Sequence, residues 1–388
     1  MSCFEWELLD DPDQIPRHAI SWNDLWWRSD TTWPLARAET LPLWLEHFAP
    51  GATLRVVIVR RRPGAWVACL PLVSGRLGRW FPVGRLPGNA WAAAGDLLLD
   101  PQAAKDPHMW HALRQALQHL PWRVLWLEEV PVESDRWLLW RQHVSGAPMA
   151  CDGCQRVPVG ITELQGNWEQ FLRTRSRNFR KTLRRCRRGL ERRGAVKLLA
   201  YPQSRFSAQE LMEMIREVER RSWKFLHGTA LVQHPHVDAY FDRWTQLLDQ
   251  GSHLAIFVLW ADGRPVAYEW GYVAKGTYFS HKCSFDQQLS EYSPGHVLCA
   301  LVLQYLFEQQ RVQRVDYLGP MTEAIRRWST GHYWSGRIVC GRGLGRVAVA
   351  AHRRLLPWWR HLRRQRPAEP VTVPAGQAAR KSQGLPVS

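Results

Sequence analysis

Three titratable side chains lie inside or beside apolar runs between residues 254 and 318, namely Glu269, His281 and Tyr317. A carboxylate inside an apolar run is costly unless it is paired or used, and burial raises its pKa toward neutrality. Glu269 is therefore a candidate general base, His281 a candidate base or proton relay, and Tyr317 a candidate proton donor. The structural alternatives are a paired carboxylate, a core histidine and a packing tyrosine.

A second group of residues has the pattern of an anion site at a helix start. Ser-Pro-Gly at 293–295 precedes apolar residues that recur at helical spacing. Serine favours the N-cap, and proline favours the first helical position because it has no amide hydrogen to leave unpaired. Free N–H groups and the helix dipole attract phosphate, and glycine lets it approach. The residues expected at this pyrophosphate site or in the loop over it are Phe285, Asp286, Ser293, Gly295, His296 and Val297.

The elements around these residues read as a meander, a helix and a further strand. Three β-rich runs, at 254–260, 265–273 and 277–284, are separated by turns that contain Asp262-Gly263 and Lys275-Gly276. Such pairs mark hairpins, so we predict three antiparallel strands. The helix begins near 294, and a short strand follows at 312–318.

This order of elements, together with local motifs, resembles a known family. The segments 285–298, 316–319 (Asp-Tyr-Leu-Gly) and 171–185 are similar to the BioF2-like (CelD/BcsL-type) acetyltransferase domain of the GNAT superfamily, which is related to the FemABX peptidyltransferases. The similarity is good over 165–340 and looser in the N-terminal half. Members often carry Tyr-Lys after the Asp…Gly strand, where this chain has Ile325-Arg326-Arg327-Trp328.

The resemblance implies an α+β fold of tandem GNAT-like halves, each a mixed, mostly antiparallel sheet flanked by helices. It also implies direct acyl transfer from acetyl-CoA or another acyl-CoA to an amine or hydroxyl acceptor, without a metal. Family functions lie near polysaccharide, cell-envelope and metabolite biosynthesis. A FemABX-like transfer from aminoacyl-tRNA is the alternative for the donor.

The order of predicted elements in the first third of the chain repeats in residues 254–340, without visible sequence identity. We therefore expect an N-terminal GNAT-like half with a structural or acceptor-binding role and a C-terminal acyltransferase half. The expected units are 1–150 and 166–345 for the two halves, 151–165 for the crossover, 346–366 for a basic amphipathic segment and 367–388 for a disordered tail.

Charge indicates an anionic partner. The chain has 52 Lys and Arg against 35 Asp and Glu, a net charge of +17, and eleven basic residues fall in one predicted helix at 168–193. Arg177, Arg180 and Lys181 are expected to bind a phosphate or an anionic acceptor, against the alternative of a solvated basic face. Nucleic-acid binding is a rival function, and the basic segment with Trp358-Trp359 suggests peripheral contact with an anionic membrane.

Composition indicates a folded, cytoplasmic protein. Of 388 residues, 45% are hydrophobic and 23 are Trp, which is enough for buried cores. No apolar run is long enough to span a membrane, and the acidic start does not resemble a signal peptide. Cys151-Asp-Gly-Cys154 has metal-like spacing but no second pair, so we expect reduced thiols and no metal.

Overall fold

One sheet of thirteen strands forms the centre of the computed structural model, which describes residues 3–146 and 148–354. The strands are β1 Phe4–Leu9, β2 Leu54–Arg61, β3 Ala65–Leu77, β4 Phe81–Arg85, β5 Leu98–Leu99, β6 Val124–Pro131, β7 Met149–Glu163, β8 Lys197–Ala200, β9 Leu254–Ala261, β10 Arg264–Ala274, β11 Thr277–Phe285, β12 Arg314–Pro320 and β13 Gly331–Arg342. The helices are α1 Ile15–Arg28, α2 Thr40–Phe48, α3 Pro107–Gln118, α4 Asp135–Val144, α5 Trp168–Arg173, α6 Arg177–Glu191, α7 Ala208–Arg220, α8 Trp223–Leu226, α9 Pro235–Gln250, α10 Pro294–Gln309 and α11 Glu323–Arg326. Residues 346–354 are also helical.

The strand order shows two similar halves. It is β1-β2-β3-β4-β6-β13-β7-β12-β11-β10-β9-β8, with β5 beside β3. Each half has a four-stranded antiparallel meander followed by one parallel pair, β4 with β6 and β11 with β12. The predicted α+β class with tandem GNAT-like halves is confirmed.

The two halves exchange strands at the centre of the sheet. β7 pairs with β12 and β13, while β13 pairs with β6 and β7. Residues 151–165, which we expected as a crossover, lie almost wholly in the 15-residue strand β7. The connection between halves is therefore part of the sheet.

The hairpin turns of the C-terminal meander follow directly from their residues. Asp262 and Gly263 have φ of 53° and 71°, and Lys275 and Gly276 have φ of 45° and 73°. Positive φ at both central residues is the geometry of the type I′ turn, whose twist matches that of paired strands.

The predicted basic helix is divided in two. The basic helix expected over 168–193 breaks into α5 and α6 because the Ser176 side chain accepts the Phe179 amide and begins a new helix. α7 likewise ends at Arg220, before the short α8.

Apolar layers cover both faces of the sheet. In the C-terminal half, α7 and α9 pack on one face, and α5, α6 and α10 pack on the other. In the N-terminal half, α1 and α2 cover the first face and α3 and α4 the second. The large indoles fill these layers, and eight tryptophans are less than 2% exposed, namely Trp22, Trp26, Trp44, Trp110, Trp137, Trp140, Trp244 and Trp270.

One expectation about the cysteines is wrong. Cys151 of β7 and Cys340 of β13 are directly opposite in the strand register and form a disulfide, so these two thiols are not reduced. Cys154 is free.

Some expectations concern the end of the chain. Trp358-Trp359, most of the basic segment 346–366 and the tail 367–388 lie outside the described residues. Within 3–146 and 148–354, no helix has the length and apolarity needed to cross a bilayer.

Candidate active site

The sheet opens between β11 and β12. These parallel strands pair at only three positions, Thr277 with Arg314, Tyr278 with Val315 and Phe279 with Asp316. Beyond Phe279, β11 stays with β10, while β12 stays with β7. No β11–β12 pair is formed beyond Phe279 and Asp316 in the described part of the chain.

A β-bulge at the start of this gap determines where His281 lies. Trp270 pairs with Lys282 and Gly271 pairs with Ser280, so His281 is the extra residue on β11. A Cβ atom at Gly271 would lie 2.0 Å from the Phe279 carbonyl oxygen, so the close approach of the two strands requires glycine. The bulge places His281 and Lys282, two consecutive residues, on the same face of the sheet.

Glu269 and Tyr317 lie on the α10 face. The Glu269 carboxyl is 7% exposed, accepts a hydrogen bond of 3.2 Å from the Tyr278 hydroxyl, and burial raises its pKa to about 7. The Tyr317 hydroxyl is 3.1 Å from Thr162 Oγ1, and burial raises the pKa of Tyr317 well above its usual value. The Cys299 thiol of α10 interacts with both Glu269 and Tyr317.

Asp316 and His281 lie on the opposite face, where a cleft of about 610 Å³ separates the two halves of the chain. The Asp316 carboxyl is 8% exposed and lines this cleft. Its Oδ1 accepts hydrogen bonds from the Leu318 amide at 2.8 Å and the Tyr333 hydroxyl at 3.4 Å. Burial raises the pKa of Asp316 to about 6. Its hydrogen bonds come from Leu318 and Tyr333, and among the described residues it makes no ion pair with an arginine.

His281 is a neutral histidine in an aromatic setting. Its Nε2 is 2.9 Å from the Trp91 carbonyl oxygen, and burial lowers its pKa to about 3. The next residue, Lys282, places its ammonium 4.6 Å from the Trp91 ring centre, and burial lowers its pKa to about 8. Three predicted catalytic residues are thus divided between faces, with Glu269 and Tyr317 on one and His281 on the other.

The start of α10 differs from the prediction in two respects, the cap and the amides that are free to bind phosphate. Ser293 occupies the N-cap position but has a left-handed φ of 44°, and its side chain makes no capping hydrogen bond. The amides of His296 and Val297 donate to the Ser293 carbonyl at 3.0 and 3.2 Å, so they are not free for phosphate. In the described part of the chain the Gly295 amide has no such backbone partner. The Phe285 ring borders Gly295, because a Cβ atom there would be 3.4 Å from it.

The corresponding helix of the N-terminal half has no free start. The Asp106 carboxylate accepts the His108 amide at 2.9 Å at the beginning of α3. A carboxylate there supplies the negative charge that a helix start attracts. Only α10 of this pair of helices offers an uncapped start.

Asp286 stabilises the loop before α10. Its carboxylate is fully buried and is paired with Arg221 at 2.7 Å and with Arg264 at 3.1 Å. It also accepts the Gln288 amide at 3.0 Å. These three bonds fix the path of the chain from β11 toward α10.

The beginning of α6 lies beside the beginning of α10. The Phe179 ring contacts the His296 and Trp328 rings at centroid distances of 5.6 and 4.9 Å. The Trp328 indole donates to His296 Nδ1 at 3.1 Å, and burial lowers the His296 pKa. The three cationic residues predicted to bind substrate are Arg177 and Lys181, which are exposed, and Arg180, which is half-buried. Among the described residues, the buried Arg180 Nε has no hydrogen-bond partner.

Sequence reasoning missed the cleft itself. The loop at 89–96 belongs to the N-terminal half, yet Trp91 contacts His281 and Lys282 of the C-terminal half. Strand alternation could have placed Asp316 on the cleft face, because adjacent residues of a strand point to opposite faces and Tyr317 points to the α10 face. No sequence pattern indicated that Trp91 contacts His281, since the two residues lie 190 positions apart in the chain.

Comparison with known proteins agrees with this geometry. Residues 177–327 match the family model of the acetyltransferase (GNAT) domain. A sequence comparison with curated proteins gave no match. Among solved structures, FemX aligns with a TM-score of 0.55 and 10% identity over 90% of this chain and 99% of FemX.

Two further structures align less well. A domain described as the C-terminal part of a lysylphosphatidylglycerol synthetase from Agrobacterium fabrum has a TM-score of 0.48 and 14% identity, over 87% of this chain and 94% of the domain. A tandem GNAT protein from the clavulanic acid biosynthesis pathway has a TM-score of 0.43 and 14% identity, over 86% of this chain and 98% of that protein. Residues 177–327 therefore match a GNAT acetyltransferase domain, and the chain has a fold similar to that of FemX.

Proposed function

We propose that this chain is an acyl-CoA-dependent acyltransferase whose donor and acceptor approach the gap between β11 and β12 from opposite faces of the sheet. The observation that carries the proposal is the divergence of these strands after Phe279 and Asp316, between an uncapped helix start and a cleft that contains a buried carboxyl. The acetyl group is the simplest acyl group for such a donor.

The α10 face suits the donor. The Gly295 amide and the dipole of α10 would bind the pyrophosphate, and the cationic side chains of Arg177, Arg180 and Lys181 would add attraction from the neighbouring helix. The dipole alone contributes about 0.3–1 kcal/mol at an exposed helix end, so the cations and apolar contacts must supply most of the affinity. Phe285 lies beside Gly295 and would shape the loop there.

The cleft face suits the acceptor. Asp316 would take a proton from an amine or hydroxyl, and its pKa of about 6 leaves it ionised at neutral pH yet still basic. The nucleophile would then form a bond to the thioester carbonyl carbon while the bond to sulfur breaks. Tyr317 or Glu269, on the donor face, would return a proton to the leaving thiolate. Because His281 has a pKa of about 3, we propose that it orients the acceptor as a neutral hydrogen-bonding group.

A FemABX-like aminoacyl-tRNA donor is the second candidate. The fold similarity to FemX and the exposed basic side chains of α6 favour it. A tRNA donor would also occupy the α10 face, but its binding would depend strongly on salt because many phosphates would be contacted.

Calorimetric titration with acetyl-CoA tests the donor assignment. The test compares Gly295→Asp with the matched control Gly295→Ala, whose Cβ would make only an ordinary contact with Phe285. Aspartate in the first turn favours the helix, so Gly295→Asp should fold, yet it should repel phosphate. We expect Gly295→Ala to bind nearly as wild type and Gly295→Asp to bind at least about tenfold more weakly, which is about 1.4 kcal/mol.

Two outcomes would contradict this assignment. Equal affinity of Gly295→Asp and wild type for acetyl-CoA would show that the pyrophosphate does not bind at the start of α10. Absence of binding by folded wild-type protein to acetyl-CoA and free CoA, combined with salt-sensitive binding of aminoacyl-tRNA, would replace the first candidate with the second.

A further inference from the structure

A second chemically competent cluster lies away from the cleft, around Cys154. The Cys154 Sγ is 3.7 Å from Nε2 of His352, and Nδ1 of His352 is 2.8 Å from Oδ2 of Asp152. A thiol, an imidazole and a carboxylate in this order form the arrangement in which a base activates a nucleophile and a third group orients the base. The sequence drew attention to Cys154 only through its spacing from Cys151.

Strand geometry explains how the three groups meet. Asp152 and Cys154 are two residues apart on β7, so their side chains lie on the same face of the sheet. The helical segment 346–354 packs across this face through Val349, which contacts Val124 and Val339 in a small apolar cluster. His352 of that segment is therefore held over both strand residues and is 6% exposed.

The surroundings keep His352 in place and leave the thiol reachable. The His352 ring meets the Trp126 ring edge-to-face at 5.7 Å, and Arg353 Nε lies 3.6 Å from the second oxygen of Asp152. Cys154 itself is half-buried, with its sulfur at the edge of the imidazole. The cluster lies five residues from Val159, which lines the cleft, or about 17 Å along a strand.

Metal binding does not account for the cluster. Within 3–146 and 148–354, no group of three or more His, Cys, Asp or Glu side chains has the arrangement needed to hold a metal ion. Cys151, the other member of the Cys-Asp-Gly-Cys segment, is bonded to Cys340 and cannot act as a ligand. The remaining chemistry of a thiol beside an oriented imidazole is nucleophilic.

We infer that Cys154, with His352 as base and Asp152 as orienting group, is a nucleophilic thiol site that accepts acyl groups from thioesters. His352 takes the thiol proton, and Cys154 Sγ forms a bond to the carbonyl carbon. The bond between that carbon and the leaving sulfur breaks, and His352 gives its proton to the leaving thiolate. One thioester is exchanged for another, so no oxidant or reductant is needed.

A short acetyl thioester of N-acetylcysteamine is the probe, used with the full-length chain. It has no nucleotide, so the result does not depend on the donor site at α10. Site-specific acetylation is measured by peptide mapping, and NMR follows the consumption of thioester in case the acyl group hydrolyses from Cys154. Cys3 is exposed and serves as an unactivated reference in the same molecule.

The expected result is at least about tenfold faster acylation, or acyl turnover, at Cys154 than at Cys3, as for an activated thiol. Asp152→Asn and His352→Gln should reduce the Cys154 rate about tenfold or more and leave the Cys3 rate unchanged. Cys154→Ser should abolish the fast reaction.

The partly exposed Asp152→Asn variant keeps the test decisive if the buried His352→Gln variant does not fold. A Cys154 rate equal to that of Cys3 would overturn the inference. A wild-type rate in folded Asp152→Asn and His352→Gln would overturn it as well, because the thiol would then react without help from its neighbours.

Discussion

Replacing Asp316 with asparagine should reduce activity and increase stability at the same time. The carboxyl is buried beside the cleft, and burial raises its pKa from an ordinary 3.8 to about 6. The folded chain therefore resists ionisation of Asp316, while the unfolded chain does not. Asparagine has nearly the same shape but carries no charge, so it removes this cost together with the proposed base.

The size and sign of the stability effect follow from linkage. At pH values below 3.8, both states hold the proton and the carboxyl costs nothing. As pH rises through the folded-state pKa, wild-type stability falls, and a difference from 3.8 to about 6 corresponds to about 3 kcal/mol above that pH. We expect Asp316→Asn to gain about 1–3 kcal/mol at pH 8 and almost nothing at pH 4.

Asp286→Asn is the matched control. The same substitution there removes the partner of Arg221 and Arg264 from a fully buried position. Breaking a buried ion pair on one side costs about 3–5 kcal/mol, so this variant should be destabilised at neutral pH. Two identical chemical changes should therefore shift stability in opposite directions.

Urea unfolding at pH 4 and pH 8 measures the change in stability. The rate of acyl transfer to an acceptor found by screening measures the change in activity. Loss of a positioned general base should lower the rate of transfer about 10²–10⁴-fold. If Asp316→Asn were destabilised at pH 8 as strongly as Asp286→Asn, the carboxyl would be a structural partner. Unchanged transfer by a folded variant would show that the base lies elsewhere.

Two further substitutions test neighbouring parts of the argument. Burial raises the Glu269 pKa from 4.5 to about 7, so wild-type stability should fall as pH rises from about 4.5 to 7. Glu269→Gln should flatten the stability profile over that range, and an unchanged slope would refute the pKa assignment. Arg136→Met should cost about 3–5 kcal/mol in urea unfolding because it leaves the buried Asp96 carboxylate, 2.6 Å from Arg136, without its cation. A loss below about 1 kcal/mol would mean that Asp96 finds another partner.

Local residue patterns predicted the C-terminal meander correctly because its turns are self-contained. Asp262-Gly263 and Lys275-Gly276 set the hairpin geometry without help from distant residues. The spacing of apolar residues in α10 likewise indicated the buried face of that helix. The division of the basic helix at Ser176 was missed because arginine-rich sequence favours helix on both sides of the break.

The arrangement of the site was harder to predict because it depends on small shifts and long-range contacts. The extra residue at His281 changes the face to which the following side chains of β11 point. No pattern in the sequence predicts this bulge. The sequence of β7 resembles a connection because its Gly and Pro residues disfavour a strand. It forms a strand only because it pairs with β13, almost 190 residues later in the chain.

The exchange of β7 and β13 has a consequence for synthesis on the ribosome. β13 is the last strand to be translated among the described residues, yet its place is in the middle of the sheet, between β6 and β7. Until residues 331–342 leave the ribosome, the backbone N–H and C=O groups of β6 and β7 that pair with β13 have no partner strand. Such unpaired edges can bind other extended chains. A nascent chain stalled before that point would expose two unpaired strand edges in the middle of the sheet, which is the kind of surface that aggregates.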